Sequence, residues 1–61
     1  MNGWMIVIRD QGKGMGDMRY LVDLFTEEMI CGKWHGKSKR EAVKQADHYS
    51  KIYQVPIENR I

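Results

Sequence analysis

A chain of 61 residues with a net charge of +2 forms one small domain with a thin core, since a domain of this size buries only about 60% of the surface its unfolded chain exposes. Its 43% apolar content excludes a disordered chain, and no apolar run approaches the ~20 residues that cross a bilayer. One cysteine, Cys31, excludes an internal disulfide and fits a reducing compartment.

Met1-Asn2-Gly3-Trp4 has neither the basic start nor the long apolar stretch of a signal peptide, so a cytoplasmic protein is expected. Small domains without disulfides often gain stability by association, which makes a homodimer one expectation. Residues 1–32 carry three basic and five acidic side chains, a net of −2, whereas residues 33–61 carry seven basic and three acidic, a net of +4. An anionic partner for the second half is one reading of this asymmetry, and a solvated helix face is the other.

Trp4-Met5-Ile6-Val7-Ile8-Arg9 is apolar and β-branched, which predicts a strand over 4–9 with Trp4, Ile6 and Ile8 on one face and Met5 and Val7 on the other. Apolar on both faces, it suits a central position. Asp10 to Asp17 contains glycine at alternate positions and reads as a loop, either a plain hairpin connection or a phosphate-contacting tip carrying Lys13.

Met18 to Cys31 admits two readings. Two strands, over 19–25 and 28–34, would turn at Thr26-Glu27. Alternatively, one helix capped by Asp17 would place Met18, Leu21, Val22, Phe25 and Met29 at helical spacing and end at Gly32. Tyr20, Val22, Phe25 and Ile30 are moderate or poor helix formers, and a lone first strand would lack a pairing partner. The strands are therefore preferred.

Ser38 followed three residues later by Glu41 is a capping box. The predicted helix over 38–54 aligns Ala42, Ala46, Tyr49 and Tyr53 in one apolar stripe, with Arg40, Lys44, Asp47, His48 and Lys51 opposite. Pro56 stops it by forcing Val55 out of helical geometry. The tail over 55–61 is left free to fray, to add an edge strand or to reach a second subunit. The expected fold is thus α+β: a three-stranded antiparallel β-meander packed against one C-terminal α-helix (β-β-β-α), with β-α-α as the alternative.

Catalytic signals are thin. Gly32-Lys33-Trp34-His35-Gly36-Lys37-Ser38 has three residues, not four, between its first glycine and Gly-Lys-Ser, so it cannot wrap phosphates as a nucleotide loop does. Cys31, His35 and His48 match no zinc spacing. On a regular strand Cys31 and His35 share a face but lie roughly 13 Å apart, too far for a catalytic dyad. No metal, cofactor, membrane or small-molecule substrate is expected, and the chain reads as a non-enzyme.

The functional lead is a basic cluster of Lys33, Lys37, Lys39, Arg40 and Lys44, with Trp34 among them. Cations track phosphates, and an exposed aromatic stacks on a base. A small accessory or regulatory protein binding DNA or RNA through the start of its helix is the first functional expectation. The alternative is a protein-interaction module, either a homodimer or an inhibitor or adaptor of a larger protein, that uses its sheet face or an open strand edge. A continuous basic face would favour nucleic acid, and an apolar open sheet face a protein partner.

Gly32, Trp34, Ser38, Glu41 and Ala42, closing a strand-strand-strand-helix order, resemble the Gly, aromatic, Thr and Glu-Ala pattern of a three-stranded DNA-binding module. That module occurs in plant transcription factors and at the arm-binding end of phage tyrosine recombinases, and the likeness implies a phage-like accessory protein with a sheet face in the major groove. The aromatic-to-cap spacing is two residues longer here, and the first strand lacks the module's regular basic residues. The order is also similar to the antitoxin fold of HicB-type proteins. Both likenesses cover about half of the chain, and neither assigns it to a family.

Overall fold

The computed structural model describes residues 4–61, and the reading of Met1-Asn2-Gly3 lies outside them. Strands β1 (Met5–Asp10), β2 (Tyr20–Phe25) and β3 (Ile30–Gly36) precede helix α1 (Lys39–Tyr53) and a short β4 (Ile57–Asn59). Their order across the sheet is β3-β2-β1-β4. The two strands richest in β-branched and aromatic residues are therefore central.

The expected α+β class and C-terminal helix are present, but the sheet is four-stranded and mixed rather than a three-stranded meander. β2 runs antiparallel to both β1 and β3, while β4 runs parallel to β1 through the pairs Ile6↔Ile57, Val7↔Glu58 and Ile8↔Asn59. The helix carries the chain back across the sheet, so the tail arrives travelling in the direction of β1. There it meets backbone groups that would otherwise have no partner. Ile6 donates its N–H to the Pro56 carbonyl at 2.9 Å, and Arg60 donates to Ile8 at 3.0 Å.

Met18–Cys31 does not form the alternative helix. Thr26 turns the chain instead: its N–H donates to the Met29 carbonyl at 2.9 Å, and its hydroxyl accepts from Met29 N–H at 3.1 Å. The hairpin joining β1 to β2 holds two short 3₁₀ turns over Lys13–Met18, broken where Gly16 takes φ 55°.

Alternation along the central strands sends Ile6, Ile8, Tyr20, Val22 and Leu24 to the helix side, where they form one cluster with Ala42 and Ala46. Both alanines are fully buried. Small side chains there let the helix axis approach the sheet, and Tyr49 and Tyr53 fill the space beyond. At its start the Ser38 hydroxyl accepts from Glu41 N–H at 3.3 Å, the N-cap bond. At its end Gln54 adopts the left-handed region (φ 56°) and returns its N–H to the Ser50 carbonyl, which frees the chain to leave toward Pro56.

β3 breaks the alternation. Asp23 pairs with Gly32 and Val22 with Trp34, so Lys33 is an extra residue, a β-bulge. Before it, Ile30 and Gly32 face away from the helix while Cys31 faces it. After it, Trp34 faces the helix and packs on the core. The Lys33 carbonyl, displaced from the ladder, accepts from the Tyr49 hydroxyl at 3.3 Å. The Trp34 ring lies over Gly36: a Cβ built on Gly36 would stand 2.6 Å from that ring. Gly36→Ala should therefore push Trp34 out of its seat and lower unfolding stability by about 1–3 kcal/mol. Urea titration followed by tryptophan fluorescence checks this; a midpoint equal to that of the unmodified protein counts against the close seat.

Candidate interaction surface

The helix covers one face of the sheet only. On the other face stand Met5, Val7 and Arg9 of β1, Leu21, Asp23 and Phe25 of β2, Ile30, Gly32 and His35 of β3, and Glu58 of β4, by the observed register. Val7 is 1% exposed although it lies outside the helix-side core cluster. Beside it the Arg9 guanidinium donates to the Asp23 carboxylate. That carboxylate is 7% exposed and the arginine side chain 41%, so the pair sits flat on the sheet with one flank in water. Met5, Leu21 and Phe25 are half-buried around it, while Ile30 at 58% and Met18 at 41% stand proud at opposite ends. Between them a hollow of about 330 Å³ opens over Gly32, walled by Met18, Leu21, Asp23 and His35.

The predicted basic cluster is divided. Lys37, Lys39, Arg40 and Lys44 are exposed at the start of the helix, and none of them belongs to a salt bridge among the described residues. Lys33 goes elsewhere. Its ammonium lies 5.2 Å from the centroid of the Tyr53 ring, and Tyr53 ends the helix roughly 21 Å along from Lys39 at 1.5 Å per residue. The nearby Tyr53 side chain, acting first through hydrogen bonding, raises the Lys33 pKa above the ordinary lysine value. Lys33 helps line a second hollow of about 450 Å³, together with Trp4, Leu24, Met29, Cys31 and Tyr53. Trp34 is half-buried over Gly36 rather than presented beside the lysines. The bulge also places Cys31 and His35 on opposite faces, where a regular strand would have kept them on one.

At the helix-start end the hairpin is pinned by charge. Asp10 accepts from Arg19 Nε at 3.1 Å and Nη2 at 3.2 Å, and from Gly12 N–H at 2.8 Å. Arg19 in turn lies over the Tyr20 ring, 4.9 Å from its centroid. Lys39 adds a weaker attraction to the same carboxylate. Among the described residues no group of three His, Cys, Asp or Glu side chains is placed to hold a metal ion, and no helix is long and apolar enough to cross a membrane.

Residue reading missed the register shift that sorts these side chains. Its one signal is Gly32 inside a strand, a position where bulges recur. Comparison with known protein families, curated proteins and solved structures returned no match.

The Arg19 hydrogen bonds, then the Gly12 N–H, hold the Asp10 pKa below its ordinary 3.8. A carboxylate depressed on folding stabilises above its unfolded pKa, and that contribution disappears as pH falls through the folded value. Asp10→Asn should therefore unfold at lower urea than the parent at neutral pH, with the two midpoints converging well below pH 3.8. A gap that persists unchanged in acid would assign the loss to something other than this ion pair.

Proposed function

We propose that this chain is a non-enzymatic protein-interaction module whose binding surface is the sheet face opposite the helix. The observation that carries this reading is the apolar surround of Met5, Leu21, Phe25, Ile30 and Met18 about the Arg9–Asp23 pair. Apolar residues scattered over a surface need no explanation, but a set gathered on one flat face around a half-buried ion pair has the anatomy of an interface. The ion pair contributes orientation more than affinity, because a wrongly placed partner would leave its charges uncompensated. A photoreactive phenylalanine analogue at Phe25 or Ile30 should yield cross-linked protein adducts in cells, whereas the same group at Lys44 should not. Adducts formed equally from Lys44, or none from the sheet positions, would refute the assignment.

A second reading keeps the nucleic-acid lead, now on Lys37, Lys39, Arg40 and Lys44 alone, because these four exposed cations have no salt-bridge partner among the described residues. Their number bounds the effect: three or four phosphate contacts give a slope of about −2.7 to −3.6 in log affinity against log salt for duplex DNA. Under this reading, fluorescence anisotropy with duplex DNA, single-stranded DNA and RNA finds binding that the double charge reversal Lys37→Glu with Arg40→Glu weakens at least tenfold. Binding that ignores both salt and the reversal would eliminate it.

A further inference from the structure

We infer that two chains associate face to face through β1, β2 and β3, as a weak two-fold dimer. This deepens the protein-interaction reading and rests on it.

The first support is electrostatic. A two-fold axis sets the same patch against itself, so a face with net charge repels its twin. The open face carries Arg9 with Asp23, and Arg60 beside Glu58 at 2.6 Å. It is therefore neutral, with each charge already paired. The outer helix face, by contrast, holds Arg40, Lys44 and Lys51 against Glu41 and Asp47, and among the described residues Lys51–Asp47 is its one salt bridge. Two copies pressed together there would oppose unpaired cations. Charge complementarity thus points to the sheet for self-association and leaves the helix start to other partners.

Relief is the second support. A self-complementary face needs projections and hollows on the same side. Ile30 and Met18 project, at 58% and 41% exposure, and the hollow over Gly32 lies between them. Its depth comes from Gly32 itself: a Cβ there would meet only the Asp23 carboxylate, at 3.8 Å, in ordinary contact. A side chain is missing where none is excluded by space. An apolar group of the second copy fits that gap.

The strand edges, the other route to pairing, are obstructed. β3 is an edge strand, but its ladder is interrupted at Lys33, whose carbonyl is already taken by Tyr49. β4 is three residues long, follows Pro56 and carries Glu58. Bulges, brevity and charge are the devices that stop edge-to-edge association.

Size sets the strength. Six residues at about 3.4 Å and strands about 4.8 Å apart give a face about 20 Å by 15–19 Å. Two such faces packed about 10 Å apart set roughly 600–760 Å² of flat area against each other in total, within the small, weak class of association. The dimer is therefore concentration-dependent.

Sedimentation equilibrium from about 5 µM to about 500 µM tests it. The weight-average mass should rise from the 7.2 kDa of one chain toward twice that value. Ile30→Glu and Met18→Glu, both at exposed positions, should weaken association at least tenfold with unchanged far-ultraviolet circular dichroism. Val43→Glu and Ile52→Glu on the helix flanks should leave it within about twofold. Concentration-dependent amide shifts of the unmodified protein provide a readout without mutation: Val7, Leu21, Asp23 and Gly32 should move, and Lys44 to Lys51 should not. A mass of 7.2 kDa throughout, dimerisation indifferent to both face variants, or shifts confined to the helix or the β3 edge would each overturn the inference. If the chain stays monomeric while Phe25 or Ile30 still cross-links to a different protein, the self-association falls and the interaction module stands. Loss of both removes both.

Discussion

The extra residue that β3 carries at Lys33 decides which side of the sheet every later side chain of that strand meets. A strand has a period of two, so inserting one residue reverses the facing of everything beyond it. Trp34 therefore joins Val22 and the helix-side core, and His35 is left on the open face. The insertion is held from the helix, because the displaced Lys33 carbonyl accepts from Tyr49. Two elements far apart in sequence thus agree on one register.

From that register follows the division of labour in the molecule. The helix side takes the aromatic bulk of Trp34, Tyr49 and Tyr53 with the aliphatic residues of β1 and β2. The open side keeps a smaller apolar set about Arg9 and Asp23. Burying both charges fully would be costly unless every donor were satisfied. Here Arg9 keeps one flank in water, though its Nε is enclosed without an acceptor. A single helix over a four-stranded sheet cannot cover both faces, and among the described residues no second α-helix lies on the open one.

The split of the basic residues has the same origin. Lys33 lies on the core side of the bulge and reaches Tyr53, while Lys37, Lys39, Arg40 and Lys44 follow the helix start. Five lysines and arginines close in sequence divide into Lys33, which turns to Tyr53 at the far end of the helix, and four cations that stay at the helix start. A charge run in one dimension says little about a charged surface in three.

The helix was legible from residues alone because its determinants are local. Ser38 caps within three residues, Ala42, Ala46, Tyr49 and Tyr53 recur at the helical period, and Pro56 blocks continuation. The strand character of Tyr20–Phe25, the two-faced apolar pattern of β1 and the α+β class were legible for the same reason. The parallel pairing of β4, the bulge at Lys33 and the seat of Trp34 over Gly36 were decided only by the tertiary structure. Each depends on a partner distant in the chain: β1's unfilled edge, the Tyr49 hydroxyl and the core behind β2. Ile57-Glu58-Asn59 has no preference that separates a frayed tail from an edge strand until β1 offers unpaired backbone groups. Trp34 has none that separates a core residue from a stacking platform until an inserted lysine turns the strand over.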